Sequence, residues 1–228
     1  MTALERRKQF REMFGERLIP EGFFWKKDRF YRLGDQVFLQ IGLRVIGGDC
    51  TVRWGSFPFC MGFDAEVFSG IGGPFGLEPF LIRDGTVDMR HYLEISDNEK
   101  LDINYRVFFR DVFNDLNAIR DVGTELVYMN KLVSNPKSLN ASNVWQYINL
   151  AKYANAAKCI RDYLNSFEGP VPQHLREYYE GQQRLLKLIE AQDYETINCM
   201  LRERIEKSTV TCEKYFCKTF RKDGRHEK

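Results

Sequence analysis

The sequence predicts an α+β fold: an N-terminal helix and a small antiparallel β-meander, followed by a C-terminal set of four α-helices. Three observations carry this expectation. Apolar residues recur with helical spacing up to Leu18, alternate with a period of two between residues 22 and 58, and step by threes and fours after Ser96.

The first helix opens on Thr2, which stands three residues before Glu5, the spacing of a capping box. Leu4, Phe10, Met13, Phe14 and Leu18 then fall on one side, with Arg6, Arg7, Lys8, Arg11 and Glu12 mostly on the other. Pro20 and Gly22 end it. In QVFLQIGLRVI, residues 36–46, the positions Val37, Leu39, Ile41, Leu43 and Val45 make one apolar strand face. Gly47, Gly48 and Asp49 turn the chain. CTVRWGSF, residues 50–57, places Val52 and Trp54 on one face and Thr51 and Arg53 on the other. Upstream, GFFWKKDRFYRLGD at 22–35 reads as one or two strands closed at Gly34 and Asp35.

A short strand is expected at residues 80–83, before an Asp84-Gly85 turn. One long helix follows from Leu101 to Val133, bent near Gly123. A second begins at a cap within residues 140–142 and carries Val144, Ile148, Ala151, Ala154, Ala157, Ile160 and Leu164. A third opens after Pro172. A fourth is capped by Asp193 and runs through Ile197, Leu201, Ile205, Cys212 and Phe216. The expected organisation is a sheet domain over 1–95, whose stretch 59–95 is a Gly/Pro-rich connector. A helical region over 96–220 packs on it as one compact unit, and 221–228 is a polar tail.

Composition narrows the classes of function. The 228 residues are 43% apolar and 14% aromatic, enough to build a core. With 34 basic and 32 acidic residues the net charge is +2, which argues against a dedicated nucleic-acid binder. No apolar run reaches membrane-spanning length, and MTALERRKQF lacks a signal core, so a cytoplasmic protein is expected. Six cysteines include no Cys-x-x-Cys pair, and none of the three histidines is near one. Neither a zinc site nor a local disulfide is expected; the cysteines read as reduced core residues.

The N-terminal third carries a combination of residues beyond its periodicity: a helix, then Gly22-Phe23, Lys26-Lys27, Phe30-Tyr31-Arg32, and a strand with Gln40. Over residues 4–60 this resembles a family of bacterial domains of unknown function, in which a helix precedes a Gly-Phe…Phe-Tyr-Arg strand pair and a strand with a Gln. The resemblance implies a bacterial α+β protein and supplies no activity.

Candidate chemistry fails on spacing. SGIGGPFGLEP, residues 69–79, lacks the lysine of a phosphate loop, and Pro74 removes an amide donor. Counted from Gly70, Phe75 takes the place of the third glycine of a dinucleotide fingerprint. The stretch reads as a connector. Asp111 and Asp115 share a helix face but read as a salt-bridged surface with Arg110 and Arg120. No nucleophile elbow occurs. No catalytic residue, metal ligand or cofactor is therefore expected.

What remains is surface. Opposite the apolar strand face stand Phe38, Gln40, Arg44 and Arg53, with Arg32 a further member. Mixed aromatics and arginines can hold a protein interface or stack on bases, unless the helical half covers them. The leading expectation is a non-enzymatic macromolecule-binding protein with a protein partner rather than nucleic acid, in one version an antitoxin-type immunity protein. One alternative is an enzyme or small-molecule binder with a pocket between sheet and helices, lined by Tyr31, Trp54, His91 and Tyr105. Another is a single-stranded nucleic-acid binder.

Overall fold

The structure is a computed structural model. It describes residues 2–26, 28–46, 49–62, 81–83, 86–88, 93–95, 105–106, 108–110, 112–134 and 143–222, excepting the side chains of 44–46, 49–51, 53, 55, 81–83, 86–88, 93–95, 132 and 215–222. The fold is α+β, as the change of period predicts. The chain divides into two compact units, Met1–Phe57 with Ile71–Glu125, and Pro58–Gly70 with Leu126–Lys228. The boundary in the helical half falls at Glu125, well past the change of period at Ser96.

In the first unit, α1 (Ala3–Leu18) begins with the capping box expected of it. The Glu5 amide donates to Thr2 Oγ1 at 3.3 Å and the Thr2 amide to Glu5 Oε2 at 2.7 Å. Phe10, Phe14 and Leu18 are buried. Leu4, expected among them, is 76% exposed. It lies six residues before Phe10, about 120° around the axis from it at 3.6 residues per turn. The helix ends with Gly22 at φ 85°, its amide bonded to Ile19 O and that of Phe23 to Leu18 O. This paired closure turns Phe23 inward.

Strands β1 (Phe24–Lys26), β2 (Arg29–Leu33), β3 (Val37–Ile46), β4 (Asp49–Pro58) and β7 (Leu93–Ile95) form one sheet in the order β1-β2-β3-β4-β7. Strands β5 (Leu81–Arg83) and β6 (Thr86–Asp88) pair separately as an antiparallel ribbon, which accounts for the strand expected at 80–83. In the β2–β3 register Phe30 faces Ile41 and Arg32 faces Leu39, while Tyr31 faces Gln40 and Leu33 faces Phe38. Cross-strand partners share a face, so these are two opposite faces. The first packs on α1 and on the helical residues 105–106 and 108–110. Phe10 lies 5.8 Å from Phe30, Phe14 5.3 Å from Phe108, and Phe108 5.7 Å from Trp54, between ring centroids.

The long helix expected from Leu101 to Val133 is interrupted. Its described parts are residues 105–106 and 108–110, α2 (Phe113–Asn117) and α3 (Val122–Val133). The break lies at 118–121 rather than as a bend at Gly123, because Asp121 and Thr124 form a new N-terminus. The Thr124 amide donates to Asp121 Oδ1 at 2.8 Å, and Thr124 Oγ1 accepts from the Asp121 amide at 3.0 Å.

In the second unit a 3₁₀ turn (Phe59–Met61) precedes Gly62. The expected second helix is two, α4 (Val144–Asn149) and α5 (Tyr153–Leu164). Ala151 adopts φ 53°, with its amide on Ile148 O and the Lys152 amide on Tyr147 O, a left-handed helix stop. The interruption shifts the apolar phase, so Ala156 and Ala157 are buried while Ala154 is exposed. Pro172 leads into a 3₁₀ turn (Gln173–Leu175) and α6 (Arg176–Glu190). Asp193 caps α7 (Tyr194–Lys222), its Oδ1 accepting from the Thr196 amide at 3.2 Å. Tyr147, Ile148, Ile160, Leu185, Ile197 and Cys212 lie in this unit's core, and Tyr147 donates its hydroxyl to Val133 O at 3.0 Å.

Candidate functional site

Of the sheet residues expected to form an open face, Phe38 and Gln40 are buried. Phe38 has no exposed surface and Gln40 is 6% exposed, its Oε1 accepting from Arg29 Nη1 at 3.0 Å. Phe38 packs against Phe57 and Tyr31. Arg32 belongs to the opposite face, across from Leu39. The side chains of Arg44 and Arg53 lie outside the described residues, as do His91 and the stretch 69–79.

The expected pocket residues also separate. Trp54 and Tyr105 belong to the aromatic layer under α1, Tyr105 lying 5.4 Å from Phe14 and 4.6 Å from Phe109. Tyr31 lies on the other face of the sheet, where Phe24 stacks on it at 6.0 Å. One cavity cannot be lined by both Trp54 and Tyr31 without the sheet passing through it.

Arg32 serves the fold. Its Nη2 donates to Leu116 O at 2.6 Å and Ile119 O at 2.9 Å, and its Nη1 to Asn117 Oδ1 at 2.8 Å. A cation thereby satisfies carbonyls left over at the end of α2. Burial, then the neighbouring Arg120, pulls its pKa down to about 10, against Glu21 and Glu125. It stays charged at neutral pH. Glu21 joins the cluster through Arg120 and Asn117.

Glu125 is a buried carboxylate of the same unit. It accepts from the backbone amides of Asp35 at 3.1 Å and Gln36 at 2.6 Å, which fixes the β2–β3 turn. A Cβ on Gly34 would stand 1.7 Å from Glu125 Oε1, so this turn requires a glycine for close approach rather than for a left-handed φ. Burial raises the Glu125 pKa above its ordinary value, opposed by those amide bonds.

The second unit holds a different arrangement. Arg204 stands on α7 between Leu201 and Ser208, both buried, a position that packing ordinarily gives to an apolar side chain. Its Nε donates to Cys60 O at 2.8 Å and its Nη2 to Met61 O at 2.5 Å. Gly62 follows at φ 82°, and a Cβ there would stand 2.6 Å from Nη2. The guanidinium carbon lies 5.1 Å from the centroid of the Trp145 ring, in cation–π geometry. Tyr178, 45% exposed, lies within the field of the same cation.

Burial lowers the Arg204 pKa, and the opposing influences are Cys60 and Tyr178. Neither is an anion at neutral pH: burial pushes the Cys60 thiol up to about 12 and raises Tyr178 as well. Among the described residues no carboxylate pairs with Arg204. The arrangement can accept a negative charge and cannot by itself activate a nucleophile or transfer a proton. No group of three or more His, Cys, Asp or Glu among the described residues could hold a metal ion. No helix among them is long and apolar enough to cross a membrane.

Sequence reading passed over Arg204. The signal was present, since Leu201, Arg204, Ile205, Ser208 and Cys212 follow the three-four spacing of one helix stripe with a guanidinium inside it. Which carbonyls it meets depends on Cys60 and Met61, remote in sequence. Comparison with family models, with curated proteins and with solved structures finds no match.

Proposed function

We propose that this chain is a non-enzymatic module that binds another protein, and that Trp145, Tyr178 and Arg204 of its second unit take part in the contact. The observation that carries the reading is the grouping of these three side chains. Arg, Trp and Tyr are the residue types in which interface energy concentrates. Here a guanidinium lies over an indole, with a partly exposed tyrosine within its field. In its most specific form the partner is an enzyme that the module blocks, which requires a complementary surface and no catalytic group. Base stacking draws less support, because Phe38 is buried, and a sheet-side pocket draws less, because Tyr31 and Trp54 face opposite ways.

Quantitative affinity capture from the source cells tests this, with the wild type beside a Trp145→Ala, Tyr178→Ala double variant whose circular dichroism matches. The wild type is expected to retain one protein at near-equal stoichiometry, and the double variant about tenfold less or lower still, as loss of interface anchors implies. Capture of no stoichiometric protein by the wild type overturns the reading.

A further inference from the structure

We infer that Arg204 is a carboxylate-binding site, and that the protein partner delivers an Asp, Glu or C-terminal carboxylate to the outward edge of its guanidinium. The inference rests on the protein-binding reading for the source of the carboxylate, and on the geometry of the second unit for the site itself.

A guanidinium has five N–H groups in a fixed plane. Nε–H and the Nη2–H beside it form one edge, and that edge is occupied by Cys60 O at 2.8 Å and Met61 O at 2.5 Å. These two carbonyls, on consecutive residues, fix the plane. Among the described residues nothing accepts from Nη1. The second edge, Nη1–H with the remaining Nη2–H, is the end-on fork that a planar carboxylate matches with two parallel hydrogen bonds.

The charge is as incomplete as the hydrogen bonding. Two neutral carbonyls leave the full positive charge, and Trp145 offers only its ring face. The two influences that favour the charged form come from groups that are neutral at pH 7, and burial works against it. A half-buried cation without a counter-ion gains more from one anion than a solvated surface arginine does, because the surrounding dielectric is lower. The charge of the site also distinguishes carboxylate from phosphate. Among the described residues no second cation contributes to the field at Arg204, whereas phosphate sites gather several donors or cations around a larger charge. One guanidinium edge fits one carboxylate.

The residues around it suit a protein side chain rather than a free metabolite. The Trp145 indole lies against the charge, and Tyr178, partly exposed and packed edge-on against Tyr163, lies within its field. Such flanks exclude water from an ion pair and strengthen it.

The site is testable on the intact protein, with no partner in hand. Side-chain Nε–H resonances of isotope-labelled protein are followed during titration with sodium acetate, with inorganic phosphate, and with sodium chloride at matched ionic strength. The Arg204 signal is expected to shift saturably with acetate and no more than the other arginines with chloride. An Arg204 signal that follows the chloride control in acetate overturns the inference, and so does a saturable response to phosphate at lower concentration than acetate. Arg204→Lys keeps the charge without the fork; if it folds, the acetate affinity read in both proteins at the adjacent Trp145 Nε1–H is expected to fall about tenfold or more, the scale of losing one partner of a partly buried charged pair. An unchanged affinity in that variant also overturns it. Saturable acetate binding without any captured protein leaves the carboxylate site standing and removes the protein-binding reading; a captured protein with a silent Arg204 does the reverse.

Discussion

Glu125 shows how one side chain fixes a turn that its own neighbours in sequence do not. It reaches back to the amides of Asp35 and Gln36 through the space left by the missing side chain of Gly34. Burial raises its pKa. A carboxyl whose folded pKa lies above its unfolded value contributes stability that is whole below the unfolded value and lost as pH rises through the folded one. Glu125→Gln removes that titration. The stability difference between variant and wild type, measured by urea unfolding from pH 4 to pH 8, should therefore move in the variant's favour as pH rises. Movement in the opposite direction would show that the amide bonds to the ionised carboxylate outweigh its desolvation. Gly34 and Asp35 could be read from sequence as a turn; the carboxylate that holds them, some ninety positions later, could not.

Helix ends explain most of the departures from the expected elements. Periodicity reports which residues share a face, and it continues through a stop whenever the next helix resumes nearly in phase. That is how Leu101–Val133 read as one helix although Asp121 and Thr124 start a new one. Thr2 with Glu5 and Asp193 were legible because their cap spacing coincides with a visible change of pattern. Among the described residues three α-helices stop on a left-handed residue, at Gly22, Ala151 and Gln192. Gln192 repeats the paired bonds, its amide on Ile189 O and that of Asp193 on Leu188 O. Only the first is glycine, and a β-carbon in this region costs about 1 kcal/mol. Ala151 and Gln192 are both exposed, so little contact is lost on substitution. Ala151→Gly and Gln192→Gly should each raise stability by about 0.5–1 kcal/mol in thermal or urea unfolding. A loss of stability in both would mean that the glycine's greater freedom in the unfolded chain outweighs the relief.

Across the whole molecule, cysteine burial gives a readout of both native packing and chemistry. Cys60, Cys159 and Cys212 are buried free thiols, and Cys199 is an exposed one. Burial holds the Cys60 thiol up at about 12 and raises that of Cys159, so both are protonated and inert at neutral pH. Alkylation of the native protein, mapped by mass spectrometry, should modify Cys199 while leaving Cys60, Cys159 and Cys212 protected until denaturant is added. Rapid native labelling of Cys60 would contradict the burial described for the turn that binds Arg204. The sequence by itself determined the fold class, the N-terminal caps at Thr2 and Asp193, the apolar face of β3 and the failure of phosphate-loop spacing. All of these are local, set by backbone preference and by the repeat of apolar residues. Tertiary structure decided what lies over each face. Alternation placed Phe38 and Gln40 opposite the apolar face correctly, but burial of that second face depends on packing that alternation does not encode. It also decided that Arg204 would spend one edge on Cys60 and Met61 and keep the other. Hydrogen-bond partners distant in sequence are selected by how the elements pack, and no period in the chain records that choice.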